Sequence, residues 1–208
     1  MEDMHMHLKK GVTDISIMQK YVEKCKEMKL NRVLFLDHGN RMSPKHTPVL
    51  NNSQVIDKFF ENIKIIKENN PDIEINAGIE SDFSYNEEFK EKEIEILRSY
   101  PFDYVIGSVH GMEKANYIDY LQANIDMIKT YPINIIGHLK LRKEYEQYKE
   151  KIEEIVKLAT EKKLMFDINT SDRSRWNIQQ LEYMLNLFKK YGTRYTVGSD
   201  AHNIDEIG

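Results

Sequence analysis

The chain has only one cysteine and no long apolar run. Its 208 residues include a single cysteine, Cys25, so no internal disulfide can form, and we expect this thiol to be buried in the core. No apolar run approaches the roughly 20 residues of a transmembrane helix, and the first residues are polar, unlike those of a signal peptide. We therefore expect a cytoplasmic protein that does not bind membranes.

The chain also lacks an excess of positive charge. The 30 lysines and arginines are outnumbered by 34 acidic residues, which gives a formal net charge of -4. Surfaces that bind long nucleic acids or anionic membranes need a positive field, so this balance argues against both kinds of partner. No glycine-rich fingerprint of a dinucleotide site or a P-loop follows any predicted strand. A phosphorylated ligand would need a local positive site, made of metal ions or a few arginines.

Strand and helix patterns alternate along the chain. Strands are predicted over residues 2–7, 31–38, 73–80, 103–110, 133–138, 164–169 and 194–200. Helices are predicted over residues 15–28, 53–69 (with Ser53 as the N-cap), 86–100, 118–131, 143–162 and 177–191, the last of them ended by Gly192. Only eight residues follow the last strand, so we expect the seventh helix to be missing or reduced to a stub. This alternation predicts an α/β fold with a parallel sheet.

The first strand carries two histidines, His5 and His7. Because side chains alternate along a strand, both point to the same face and form a chelating pair suited to a divalent metal. Such a pair alone is weak evidence, since a single histidine is more often a core residue bonded to a carbonyl group. However, six of the seven histidines lie at or just beyond strand ends. A shared metal site explains all six together, whereas burying six separate imidazoles would be unfavourable.

Almost every predicted strand ends in a residue type capable of binding metal or of catalysis. The set consists of His5, His7, Asp37, His38, Glu80, His110, His138, Asn169, Asp200 and His202. In a closed or nearly closed barrel these ends converge on one face, whereas in an open sheet they would form a line. We therefore predict a barrel. The mixed nitrogen and oxygen donors suit zinc, manganese or iron, and the absence of thiolates indicates a catalytic site.

Seven pieces of the sequence carry a resemblance to a known family. In order, they are Asp3-Met4-His5-Met6-His7, Asp37-His38, Gly78-Ile79-Glu80, Gly107-Ser108-Val109-His110, Gly137-His138, Ile168-Asn169-Thr170-Ser171 and Gly198-Ser199-Asp200-Ala201-His202. Together they resemble the polymerase and histidinol phosphatase (PHP) superfamily, and within it the histidinol-phosphatase group. The resemblance implies a distorted (β/α)7 barrel and a single metal-dependent phosphoesterase domain over residues 1–208.

The resemblance also implies a cluster of two or three divalent metal ions. One metal would be held by His5, His7, Glu80 and Asp200. A second would share Glu80 as a bridge and add His110 and His138. A third would use His38 and His202, with Asp14 as the available extra ligand. Asp200 and His202 are the candidates for catalytic proton transfer to the leaving group.

Phosphate binding is implied for arginines beyond two late strands, because a guanidinium matches the oxygens of phosphate. Arg142, Arg173 and Arg175 occupy these places, although each could instead be a surface arginine. Arg41 and His46, on the loop after His38, could contact the leaving group or lie in a solvated loop. Two features depart from the family pattern. Lys140 stands where histidinol phosphatases often carry an acidic residue, and the sequence ends at Gly208 without the final helix of many relatives.

The sequence thus predicts a phosphoric monoester hydrolase acting on a small phosphorylated substrate. L-histidinol phosphate, an intermediate of histidine biosynthesis, is the first candidate. Two metals about 3.5–4 Å apart would activate a bridging water, while metals and arginines neutralise the phosphoryl oxygens. A phosphodiesterase or phosphatase acting on a small nucleotide or a nucleic-acid end is an alternative. A metal-binding regulatory module without turnover is a third, and the oligomeric state is left open.

Overall fold

The computed structural model describes residues 1–39, 50–112, 115–171 and 175–207. Within these ranges one sheet contains seven strands: β1 (Glu2–His7), β2 (Arg32–Leu36), β3 (Glu74–Asp82), β4 (Tyr104–Ser108), β5 (Ile135–Ile136), β6 (Met165–Asn169) and β7 (Arg194–Gly198). Each strand pairs in parallel with the next one in the sequence, so the spatial order equals the chain order.

Helices connect successive strands, as parallel pairing requires. They are α1 (Ile15–Glu27), α2 (Ser53–Asn69), α3 (Glu87–Ser99), α4 (Tyr117–Thr130), α5 (Lys149–Glu161) and α6 (Ile178–Tyr191). After β7 the described chain forms only a short 3-10 turn, Ile204–Glu206, in place of a seventh helix. The predicted distorted (β/α)7 barrel with a reduced last helix is therefore confirmed.

The barrel closes where the first strand meets the last, and we call this junction the seam. It is held by a few main-chain contacts and no continuous ladder. The His7 N–H donates to the Ala201 carbonyl at 2.9 Å, and the Asp200 N–H donates to the His5 carbonyl at 2.8 Å. An isolated bridge joins Met6 to Ala201. Within the described ranges the structure is thus a nearly closed barrel, with its sheet discontinuous between β1 and β7.

Apolar side chains fill the lower part of the barrel and leave the mouth to polar ones. A small buried cluster made of strand residues packs inside: Met4, Leu34, Leu36, Ile106 and Ile135. Alternate residues of the same strands, such as Val33 and Phe35, belong to the larger cluster between sheet and helices. Since side chains alternate, the next inward positions after Leu36 and Ile106 are those of His38 and Ser108. Along each of these strands the inward side chains are therefore apolar in the lower barrel and polar at the carboxyl end.

Several predicted boundaries differ from the structure, and three of the differences have a clear local cause. Asn52, not Ser53, caps α2: its extended backbone lets its side chain accept a hydrogen bond from the Val55 N–H at 3.1 Å. Helix α5 begins at Lys149 because the preceding residues Tyr145–Tyr148 form a 3-10 turn. Strand β5 is only two residues long, since the chain leaves extended geometry at His138.

Two expectations about composition can also be compared with the structure. Cys25 is buried in the core and is a free thiol, as expected. Across the described ranges, no helix combines the length and the apolar character needed to cross a membrane.

Lys163 offers a test of the local backbone analysis. It follows α5 in the left-handed region, with φ of 60°. Its N–H donates to the Thr160 carbonyl at 3.0 Å, and the Leu164 N–H donates to the Ala159 carbonyl at 2.9 Å, which is the Schellman arrangement that favours glycine at this position. The left-handed conformation costs an L-residue about 1–2 kcal/mol, and glycine loses about 0.5–1 kcal/mol more entropy on folding.

We therefore expect Lys163→Gly to raise the free energy of unfolding by about 0.5–1 kcal/mol in urea titrations. Lys162→Gly is the matched control, because Lys162 has φ of -84° and gains nothing from glycine. A Lys163→Gly protein no more stable than the wild type would contradict the analysis.

Candidate metal centre

The eight predicted metal ligands lie together at the mouth of the barrel. They are His5, His7, His38, Glu80, His110, His138, Asp200 and His202, contributed by the ends of six strands or the residues that follow them. They form three groups, in each of which the potential ligand atoms lie within 4.8 Å of one another. The groups are His5, His7 and Asp200; Glu80, His110 and His138; and His7, His38 and His202.

Glu80 occupies the centre of this arrangement. Its Oε1 atom lies 3.0 Å from His138 Nε2 and 3.5 Å from His110 Nε2. Its Oε2 atom lies 3.4 Å from His7 Nε2 and 3.8 Å from His5 Nε2. One carboxylate therefore faces two groups of imidazoles, which is the geometry of a bridging ligand.

The third group differs in part from the sequence-based expectation. His38 and His202 were expected as a pair, and the structure places His7 between them, with ring centroids 4.3 Å from each. Asp14, the suggested extra ligand, lies elsewhere. Its exposed carboxylate caps α1 and accepts a hydrogen bond from the Ser16 N–H at 2.9 Å.

Buried aspartates orient two of the imidazoles. Asp167 Oδ2 lies 2.9 Å from His5 Nδ1, and Asp82 Oδ1 lies 2.6 Å from His110 Nδ1. Binding Nδ1 in this way leaves Nε2 as the nitrogen that faces the mouth, as is common around metal-binding histidines. Sequence reasoning missed both aspartates. Strand alternation could have found them. Asp82 lies two residues after Glu80 and Asp167 lies two residues before Asn169, so each aspartate shares a strand face with a predicted site residue.

Asp37 has a related position beside His7. Its carboxylate accepts hydrogen bonds from the main-chain N–H groups of Lys9 and His38 and lies 3.6 Å from His7 Nδ1. It is fully buried. Asp37 therefore fixes the start of the loop after β1 relative to β2, rather than facing the mouth as a ligand.

Two residues of the cluster adopt unusual backbone conformations. His138 and Asp200 have φ of 21° and 53°, in the left-handed region that side chains disfavour. Such residues cost about 1–3 kcal/mol each and concentrate at functional sites. Close packing adds a second constraint, because a Cβ atom at Gly198 would lie 2.4 Å from His5 Cβ. The chain thus accepts local strain where it directs these side chains into the mouth.

The donor set fits a divalent cation. His5 Nε2 and His7 Nε2 face each other at 3.2 Å, and both rings are fully buried. With His5 Nδ1 bound to Asp167, a neutral His5 ring presents a lone pair to the neighbouring nitrogen, and a shared cation or proton is needed between them. His7 Nδ1 is also buried without a hydrogen bond. Imidazole nitrogens with carboxylate oxygens suit zinc, manganese or iron.

The pKa values of His5 and Glu80 also indicate that the site favours bound positive charge. Burial disfavours the charged ring of His5, but the carboxylates of Asp167, Asp200 and Glu80 outweigh it and hold its pKa well above the ordinary value. Burial opposes ionisation of Glu80, yet the charges on His38 and His110 hold its pKa well below the usual range. Without metal, the cluster therefore retains protons that a bound cation would displace.

His202 behaves differently from His5. Burial, together with the positive charge of His7, lowers the pKa of His202 to about 4. Its Nδ1 lies 2.7 Å from the Asp200 carbonyl oxygen, so this nitrogen must carry the proton and donate. A neutral His202 ring therefore presents the lone pair of Nε2.

The predicted phosphate-binding arginines have distinct surroundings. Arg142 donates from Nη1 to the Ala115 carbonyl at 2.7 Å and from Nη2 to the Met112 carbonyl at 2.9 Å. Its guanidinium also lies over the Tyr117 ring, 5.3 Å from the centroid. It thus ties the loop after β4 to the segment after β5. Arg175 is exposed at the start of the segment leading to α6, whereas Arg173, Arg41 and His46 lie outside the described residues.

A carboxylate variant tests the electrostatic analysis. In metal-free protein, Asp167→Asn removes the charge beside His5 and should lower the pKa of that ring, so that it loses its proton at lower pH. Histidine resonances followed by NMR during a pH titration measure this change. Asp72→Asn, which removes an exposed carboxylate paired with Lys26, should leave His5 unchanged. An unaltered His5 titration in Asp167→Asn would refute the assignment.

Comparisons with known proteins agree with this geometry. The family model of the PHP domain matches residues 3–171. The probable histidinol-phosphatase of Clostridium acetobutylicum is 28% identical over 188 residues, covering 74% of this chain and 69% of that protein. The histidinol-phosphatase of Lactococcus lactis subsp. lactis is 25% identical over 231 residues, covering 96% of this chain and 83% of that protein.

The fold is also shared with a solved structure. Histidinol phosphate phosphatase from Lactococcus lactis, complexed with zinc, L-histidinol and phosphate, matches with a TM-score of 0.78 at 22% identity, covering 98% of this chain and 86% of that one. The family match covers most of the sequence, and the barrel with its histidine-rich mouth accounts for it structurally. This chain belongs to the PHP domain family.

Proposed function

We propose that this protein is a metal-dependent phosphomonoesterase that hydrolyses L-histidinol phosphate to histidinol and phosphate. The observation that carries the proposal is the position of Glu80, whose two oxygens face separate groups of histidines at the barrel mouth. The choice of substrate is supported by the names of the relatives and by the L-histidinol and phosphate bound in the Lactococcus lactis structure.

In this proposal the predicted ligand sets hold two or three metal ions. His5, His7, Glu80 and Asp200 hold one, Glu80 with His110 and His138 holds a second, and His38 and His202 beside His7 provide a third site. Bound divalent metals supply Lewis-acid chemistry, since they activate water and stabilise negative charge on a phosphoryl group. Asp167 and Asp82 keep His5 and His110 oriented for this role.

Asp200 and His202 are the proposed proton-transfer residues, and the surroundings of each bear on the proton that it carries. A neutral His202 presents the lone pair of Nε2, so it accepts a proton or holds a metal before it can donate. The carboxyl pKa of Asp200 is lowered: burial opposes ionisation, but His5 and His7 stabilise the charged form. Both residues therefore begin as proton acceptors. One of them must first take up a proton during the reaction before it can donate that proton to the leaving oxygen.

The phosphate is proposed to lie near the arginines that follow β5 and β6. Arg142 has two of its N–H donors engaged by carbonyl groups, which orients the guanidinium and leaves further donors for a phosphate oxygen. Arg173 and Arg175 are the corresponding candidates after β6.

Removal of metal should abolish turnover. We expect chelation to eliminate phosphate release from L-histidinol phosphate and added manganese or zinc to restore it.

Glu80→Gln should lower kcat/KM by at least about 100-fold and reduce the metal bound per chain, because the bridging charge is lost. Glu74→Gln, an exposed change at the opposite end of β3, is the matched control and should retain activity and metal. Turnover that persists after chelation or in Glu80→Gln would rule out the mechanism.

One observation favours a second candidate substrate class. Lys140 and Arg142 line a cavity of about 130 Å³ together with Val109, Met112 and Tyr120. Both charged side chains of this lining are cationic. Such a cavity suits a leaving group with an additional negative charge, as in a nucleoside bisphosphate.

A direct comparison of substrates separates these candidates. We expect a higher kcat/KM for L-histidinol phosphate than for nucleoside monophosphates or bisphosphates, measured at one metal concentration by phosphate release. A preference for nucleotides would overturn the proposed substrate and support the alternative. Full metal occupancy without turnover of any phosphoester would instead favour a non-catalytic regulatory module.

A further inference from the structure

The candidate metal centre is built across the seam. His5 and His7 belong to β1, whereas Asp200 follows β7 at the other side of the discontinuity. Asp200 Oδ1 lies 3.6 Å from His5 Nε2 and 3.3 Å from His7 Nε2. These spacings depend on how β1 is offset against β7, and no continuous ladder fixes that offset.

Asp3 supplies a fixed point at this junction. Its Oδ1 atom accepts hydrogen bonds from the Ser199 N–H at 2.9 Å and from the His5 N–H at 3.2 Å. The carboxylate is buried, with 4% of the residue exposed. The pairing of β1 with β2 shifts register between Asp3 and Met6, where the strand is irregular. A single carboxylate oxygen thus joins a candidate ligand on β1 to the neighbour of Asp200.

We propose that Asp3 is a positioning residue of the metal centre. By holding the His5 and Ser199 N–H groups on one oxygen, it acts with the two main-chain hydrogen bonds of the seam to set the offset of β1 against β7. This offset determines the distance between the two histidines and Asp200. It acts through the main chain and is not itself a ligand. The inference rests on the proposed function for the assignment of the ligands.

The seam contains a matched contact that lies away from the ligands. Thr196 Oγ1 donates to Glu2 Oε1 at 2.9 Å and also joins β7 to β1. Thr196 precedes Asp200 by four residues, and Glu2 precedes His5 by three. Removing this contact weakens the seam without changing the residues that hold the ligands in register. Thr196→Val is therefore the control for a purely structural role.

The test uses cobalt as a spectroscopic probe of the centre. Asp3→Ala, Asp3→Asn, Asp3→Glu and Thr196→Val are compared with the wild type by Co²⁺ titration, the visible Co²⁺ absorption band and urea unfolding. We expect Asp3→Ala to bind Co²⁺ at least about tenfold more weakly and to change the band. Asp3→Asn keeps an acceptor oxygen and should resemble the wild type. Asp3→Glu keeps the charge but displaces the oxygen, so its affinity and band should change, whereas Thr196→Val should alter only stability.

Several results would overturn the inference. They are wild-type affinity and spectrum in Asp3→Ala, an equal loss in Thr196→Val, and an Asp3→Asn protein as impaired as Asp3→Ala, which would indicate charge instead of position. If Asp3→Ala does not fold, the comparison of Asp3→Glu with Asp3→Asn decides. Lack of phosphatase activity in the wild type would count against the proposed function alone, because the Co²⁺ comparison requires no turnover.

Discussion

The buried carboxylate of Glu80 is the group on which the rest of the barrel mouth depends. A charge inside a protein needs nearby opposite charge or strong hydrogen bonds. Glu80 obtains both from histidines on the neighbouring strands, and their charge outweighs burial to keep its pKa well below the ordinary value. The histidines of the cluster need partners in turn, and Asp82 provides one for His110 and Asp167 one for His5. Glu80 is thus stabilised by histidines, and the histidines are oriented by aspartates that the strands hold in place.

The parallel barrel brings such a cluster together and supplies the stability that it requires. All seven strands direct their carboxyl ends to one mouth, and alternate side chains of each strand point inward. Apolar residues such as Leu34 and Ile106 occupy the lower interior positions, so the polar groups share only the upper part. The large core between sheet and helices supplies the stability against which the strained backbone of His138 and Asp200 is held.

Alternation explains how far the sequence could predict this arrangement. A period of two places His5 and His7 on one face of β1 and Glu80 on the inward face of β3, so these residues could be placed at the mouth without coordinates. The irregularity of β1 between Asp3 and Met6, which also brings Met4 inside, does not follow from that period. The capping role of Asp14 and the end of β5 before His138 could not, because they depend on local backbone geometry. The contact between Asp3 and Ser199 joins residues 196 positions apart. No local pattern reports such a contact, since it exists only once the barrel closes.

Closure of the barrel and the proposed metal binding are therefore coupled. On the proposed function, a cation held by His5, His7 and Asp200 links the first strand to the segment after the last one, across the junction that no continuous ladder joins. A ligand that binds the folded state alone stabilises it by mass action, and here the stabilised contact is the closure itself. Closure of the seam also favours metal binding, because a seam that is already in register presents its ligands at the required spacing. The junction without a ladder thus coincides with a group of buried imidazoles and a carboxylate that a cation would hold together.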